Sequence, residues 1–176
     1  MKNVQSTLLI TAATLALSIT SNLYAEAQLN DLEIAHAAYT ADVIDIDYAK
    51  LAIAKSKNPD VLKFANLMVS DHSAVNEGAG ALLKKLGVQP KDNAFSQTLV
   101  SGAKAKTSEL NALEGEDFDR AYAANELAYH NVVNKTVADS WIPIIQTPDL
   151  KAFLGQALVT FKAHEEHAKN LVNTLK

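Results

Sequence analysis

Cysteine is absent from the 176 residues. This excludes a disulfide framework, a thiolate zinc site, covalent haem attachment, a cysteine nucleophile and a lipid anchor on an N-terminal cysteine. Glycine and proline are scarce, at 6 and 4 residues, and the period-two alternation of half-buried strands is missing, so a sheet-based fold is not expected. The chain has no basic stripe. Its net charge is −4, with acids and bases interspersed, which argues against a nucleic-acid footprint. No Ser–His–Asp arrangement and no glycine-rich phosphate loop stands out. The longest apolar run, Leu8 to Ile19, is too short to cross a bilayer, and no later segment is apolar enough to do so.

That early run has a different use. Lys2 supplies a positive start, Leu8–Ile19 the apolar centre, and "LYA" followed by "AEA" the small residues of a cleavage site. Residues 1–27 are therefore predicted to be a signal peptide, cut after Ala25 or Ala27. Residues 28–176 are the expected mature domain, released beyond the inner membrane into the periplasm, with outer-membrane association left open. Their number suffices for one domain with a real core.

What is plentiful is alanine and leucine, in patterns of helical period. A first helix is predicted from Leu29 to Ser56. "NPDV" starts a second, with Asn58 as cap, Pro59 in the first turn and Asp60 beside the positive end of the dipole. It stops at Gly87, with Pro90 beyond. A shorter helix is expected over Phe95–Leu113, broken by "EGED". A fourth runs from Asp117 to Ile142. "TPDL" then repeats the start signal, with Thr147 as cap, and a last helix continues nearly to the C-terminus. Four long helices in two tight hairpins make a four-helix bundle. The stretch from Gly87 to Glu116 is long enough to carry the chain from one end to the other, so the expected topology is ferritin-like, with a short crossover helix.

Residue directions at 100° per step place polar groups among apolar stripes. On the first helix Asp45 lies at the centre of a face with Ile34, Ala38, Ala41, Ala49 and Ala52; Tyr48 is beside it and Asp42 near the edge. His72 interrupts the stripe Val61, Met68, Val75, Ala79, Leu86, with Asp71 at the margin. Glu126 lies inside the face of Tyr122, Tyr129, Val133 and Val137, with His130 near its edge one turn on. His164 sits among Leu150, Ala157, Phe161, Ala168 and Leu175, with His167 on the flank. Asp45 and His72 are each about 20 Å from the turn at Asn58, and Glu126 and His164 about 25 Å from theirs. All five groups therefore fall near mid-bundle.

A buried carboxylate or imidazole costs about 1–3 kcal/mol or more when unpartnered. Asp45, His72, Glu126, His130 and His164 have two ways to avoid that cost. They close around a divalent transition metal (Fe, Zn, Mn or Cu), or they satisfy one another as a metal-free polar network that fixes register. Asp71 can orient an imidazole, although a solvated rim position is expected for it. His167 is expected to be exposed and His36 to face the polar side. The three tyrosines read as packing, "GAG" at Gly78–Gly80 as a place of close helix approach, and "NKT" at Asn134 as an idle glycosylation match inside a helix.

Three segments carry a family resemblance: "IDIDYAKLAIAKSKNPDVLKFANLMVSDHSAVNEG", "LNALEGEDFDRAYAANELAYH" and "LKAFLGQALVTFKAHEEHAKNL". Together they resemble the bacterial domain of unknown function 4142, at His72, Phe118, Asp119, Tyr122, His130 and His164. The resemblance implies a secreted, ferritin-like helical protein and supplies no reaction. Asp45 stands where that family commonly has glutamate. Carboxylate-bridged di-iron needs an acid three residues before histidine on two helices. Here Val69, Leu127 and Phe161 occupy those positions, so a mononuclear, histidine-rich site fits better than ferroxidase chemistry. Three functions follow: a periplasmic metal-binding bundle for metal handling or envelope stress tolerance, a metal-free structural or interaction protein of the envelope, and an iron or manganese oxidoreductase. The residues point to binding more than to catalysis, and self-association is left open.

Overall fold

The computed structural model describes residues 28–176, so the predicted signal peptide lies outside the described residues. Five helices follow: α1 Asp31–Lys55, α2 Pro59–Leu86, α3 Ala94–Asn111, α4 Gly115–Thr136 and α5 Pro148–Thr174. No strand occurs among the described residues.

Local chemistry sets the ends. The Asn30 side chain accepts from the backbone N–H groups of Leu32 and Glu33, while Glu33 reaches back to the Asn30 N–H, which makes a capping box. Asn58 caps α2 ahead of Pro59, and Gly87 ends it at φ 69°, where a side chain would be strained. Asn93 caps α3. Two expectations are corrected. Thr147 makes no side-chain cap on α5; the Asp31 carboxylate, at the start of α1, accepts from the N–H groups of Gln146 and Thr147 at 3.0 and 2.7 Å instead. The fourth helix begins at Gly115 rather than Asp117, and its last stretch, Val137–Trp141, widens into a π-helical turn closed by Ile142 N–H to Val137 O.

Cross-helix contacts give the topology. Lys55, ending α1, meets Glu114 at 2.7 Å and lies over the Phe118 ring, so α4 starts where α1 ends. Lys85, ending α2, meets Asp149 at the start of α5. Neighbouring long helices are thus antiparallel around the ring α1–α2–α5–α4. The α1/α2 and α4/α5 turns lie at opposite ends, and α2 and α4 run the same way. That is the up-down-down-up course of a ferritin-like bundle. Helix α3 is the crossover. It lies along α1, fixed at one end by His36 Nδ1 to Ser96 Oγ at 2.8 Å and Asn93 to the Glu33 carbonyl, and at the other by Lys55 to the Asn111 carbonyl. His36, expected only to face the polar side, therefore ties two helices together. Asp92 also approaches its Nδ1, at 3.8 Å. Serine and acid share one ring nitrogen, so no proton-relay triad is formed.

The apolar core has two parts. One, around Tyr48, Val61, Phe64, Met68, Phe118 and Tyr122, fills the α1/α2-turn end. The other, around Ile34, Leu83, Val137, Trp141, Leu150 and Leu154, fills the opposite end. The polar groups lie between. Close approach at "GAG" is specific to one glycine: a Cβ on Gly78 would stand 3.0 Å from the Phe153 ring of α5, whereas one on Gly80 would meet nothing. In urea unfolding, Gly80→Ala should therefore stabilise the protein by about 0.4–1 kcal/mol, and Gly78→Leu should destabilise it by about 1–3 kcal/mol.

Candidate metal centre

The five groups predicted to face inward meet. Relative exposures are 1% for Asp45, 4% for His72, 0% for Glu126, 2% for His130 and 1% for His164. The three imidazoles form a triangle with ring centroids 5.1–5.7 Å apart. His72, His130 and His164 each offer a nitrogen within 4.8 Å of the others, and Asp45, Glu126 and His130 form a second such trio sharing His130. Asp45 bridges the two sets, with Oδ1 3.7 Å from His72 Nε2 and Oδ2 3.5 Å from His130 Nε2.

Each imidazole is held by the nitrogen that faces away. His72 Nδ1–H donates to Asp42 Oδ1 at 2.8 Å, and its ring is stacked on Phe161, 4.9 Å away and 5° from parallel. His130 Nδ1–H donates to the Glu126 carbonyl, one turn back, at 3.0 Å. His164 Nε2–H donates to Asp71 Oδ2 at 3.0 Å. In the neutral rings these bonds fix the tautomers, because the remaining nitrogen then carries a lone pair. Those three nitrogens (His72 Nε2, His130 Nε2 and His164 Nδ1) are buried without a partner, as are both oxygens of Asp45 and of Glu126. Buried polar atoms are rarely left so; here seven converge.

The charges record the strain. Burial pushes the Asp45 carboxyl up to about 6, with Asp42 adding to the rise and His72 opposing it. Burial, and then Asp45, hold Glu126 well above the usual carboxylate range. Burial, with His72 and His164 nearby, depresses His130 to about 3 despite its bond to the helix carbonyl. For His72 burial opposes the charge, but Asp45 and Asp42 outweigh it and the ring is shifted upward. Burial lowers His164, partly offset by Asp71. Tyr48 and Tyr129 close the α1–α4 side in an edge contact at 5.7 Å, and the Tyr129 hydroxyl donates to the Ala41 carbonyl. As expected, the tyrosines pack; the Tyr122 hydroxyl is buried without a partner.

Some roles differ from expectation. Asp71, read as a solvated rim acid, orients His164 on another helix. Asp42, read as an edge residue, is 6% exposed and holds His72. Asn134 is buried rather than idle, donating to the Phe161 carbonyl and Glu165; its position one turn beyond His130 was the available signal. His167 is exposed, as predicted.

The fold and the polar centre define an all-α, ferritin-like bundle with a histidine and carboxylate cluster in its core. The chain belongs to the family described as domain of unknown function (DUF4142), whose model matches residues 15–171. Among solved structures it is similar to CopM in the Cu(II)-bound form, at 12% identity and a TM-score of 0.63, covering 85% of this chain and 99% of that one. At that identity the likeness concerns the fold. No curated protein is significantly similar to the chain. No helix among the described residues is long and apolar enough to cross a membrane.

The raised Asp45 carboxyl has a sign-determined consequence. A folded-state value near 6 against an ordinary 3.8 means that its contribution to stability is present below pH 4 and lost as pH rises through 6. At pH 7.5, thermal unfolding of chelator-treated protein should show Asp45→Asn to be more stable than the parent, by about 1–3 kcal/mol. Near pH 4 the two should converge.

Proposed function

We propose that the mature chain is a periplasmic bundle that binds one transition-metal ion in its core, with Asp45, His72, Glu126, His130 and His164 as ligands. The observation that carries this reading is the convergence of three lone-pair imidazole nitrogens and four carboxylate oxygens, all buried and none hydrogen-bonded. A metal-free polar network needs these atoms to bond one another, and the approaches of Asp45 to His72 and His130 are long, at 3.7 and 3.5 Å. A cation would satisfy several at once, and metal-bound imidazoles typically donate their far N–H to a carboxylate or carbonyl. That is the pattern of Asp42, the Glu126 carbonyl and Asp71.

The donor set limits the ion. Imidazole and carboxylate suit Zn, Cu, Fe and Mn, and no thiolate is present to favour a softer one. Nitrogen ligands sit about 2.0–2.1 Å from such an ion, so atoms up to 4.8 Å apart would draw inward on loading. The similar fold of CopM is known in a Cu(II)-bound form, which makes Cu(II) the first ion to test here. Metal handling or stress tolerance in the envelope is the role such a binding site would serve. The periplasmic assignment rests on the signal-like residues 1–27.

Untagged mature protein loaded with Cu(II) or Zn(II) and desalted should retain one ion per chain by elemental analysis. His72→Ala and His164→Ala should each lose it while keeping a helical circular-dichroism spectrum. A parent that retains no ion after loading overturns the proposal. At a hundredfold excess of free ion over its dissociation constant, binding should add about 2.7 kcal/mol to stability.

A further inference from the structure

The five candidate ligands are at most 4% exposed, so a cation needs a way in. Side chains cross three sides of the ring, and the cavity beside Asp42 on the α1–α2 side holds only about 30 Å³. The α1–α4 seam carries the Tyr48–Tyr129 pair. The α1–α2 face carries Asp42, itself buried and bonded to His72. On α4 and α5, Asn134 bridges to the Phe161 carbonyl and Glu165. A groove lies between α1 and α3, with Tyr39, Val43, Ile44 and Val100 among its walls. It is chiefly apolar, and Tyr48 at its floor is one of the closing pair.

The remaining seam, between α2 and α5, is different. A groove of about 400 Å³ runs along it, lined by Asp71, Ala74, Val75, Phe153, Ala157 and Thr160, with Gln156 at its edge. It is open because its residues are small and because Phe153 lies against the bare backbone of Gly78. One end of the groove is Asp71, whose side chain is 34% exposed, against 2% for the His164 side chain to which it is bonded. His164 follows Thr160 by one turn of α5. Its ring spans the wall: Nε2 faces the half-exposed carboxylate, and Nδ1 is buried and unpartnered. Asp71 is thus the one acid that touches both this groove and the cluster.

We propose that the cation enters through the α2–α5 groove, with the Asp71 carboxylate as its first protein contact and the His164 ring as the door. A hydrated cation drawn to Asp71 replaces the imidazole N–H as that carboxylate's partner. The freed ring turns about its Cβ–Cγ bond, and the ion passes to the inner nitrogens. His164 closes behind it by re-forming its bond to Asp71. The bond that holds the ring in the loaded site is the one that opens to load it. Asp71 is a positioning residue in the closed state and a transient contact during entry.

This inference rests on the core site of the preceding subsection, and its test separates the two. Stopped-flow uptake of Cu(II) by the untagged mature protein gives the association rate, and competition with a chromogenic chelator gives the equilibrium constant and the release rate. Ala74→Phe and Thr160→Phe fill the groove from opposite helices without touching a candidate ligand. Each should slow uptake and release by tenfold or more and leave the equilibrium constant within twofold. Val100→Phe, in the α1–α3 groove, should change neither rate. Asp71→Asn should slow uptake and flatten its dependence on ionic strength, which a purely structural role would not do. The paired groove variants guard against one failing to fold, checked by circular dichroism. Parent protein that binds no Cu(II) overturns the core site and the entry route together. Parent protein that binds, while both folded groove variants load at its rate or Val100→Phe is the slow one, overturns the route and leaves the site.

Discussion

The core depends on the outer nitrogens of three imidazoles. Each is tied down by an acceptor (Asp42, the Glu126 carbonyl or Asp71), and that bond decides what the inner nitrogen is. A neutral imidazole whose far N–H is occupied presents a lone pair inward. Reverse any one of the three and the centre presents a donor instead. The stack of His72 on Phe161 goes with holding its ring so. The acceptors come from three different elements (α1, α2 and the backbone of α4), so the arrangement exists only in the assembled bundle.

Such a centre is costly to the fold. Asp45 and Glu126 are nearly inaccessible and lack hydrogen bonds, and desolvation of that kind is repaid only by good partners. The apolar ends of the bundle carry the stability that the middle gives away. Ile34, Leu83, Trp141 and Leu150 pack one end, and Val61, Phe64, Met68 and Phe118 the other. Polar groups that strain a core without serving it are expensive to keep. The polar groups here are concentrated at one level of the bundle, between two well-packed ends, as the proposed site requires.

Much of this was legible in the chain. Asn58–Pro59 and Gly87 mark α2 because capping chemistry is local. Helical phase alone brought Asp45, His72, Glu126, His130 and His164 inward, because direction around a helix is a local property. The length between Gly87 and Glu116 foretold the crossover and with it the ferritin-like course. What phase could not supply is which helix lies beside which. Asp71 points away from the stripe of its own helix, and only the adjacency of α2 and α5 turns it into the partner of His164. Asp42 was placed at an edge for the same reason. The replacement of Thr147 by Asp31 as an end-of-helix acceptor joins residues far apart in the chain. The π-helical turn at Val137–Trp141 is likewise fixed by packing, and no residue in "VADSW" announces it.

The order of the helices assigns the cluster unequally to two halves. The first hairpin contributes Asp45 and His72, and the second Glu126, His130 and His164, with α3 as a strap between them. Neither hairpin owns a complete set. Either half alone has no centre to offer until the other has docked. An ion held there would act as a rivet across the joint, and its capture would report that the two hairpins had come together.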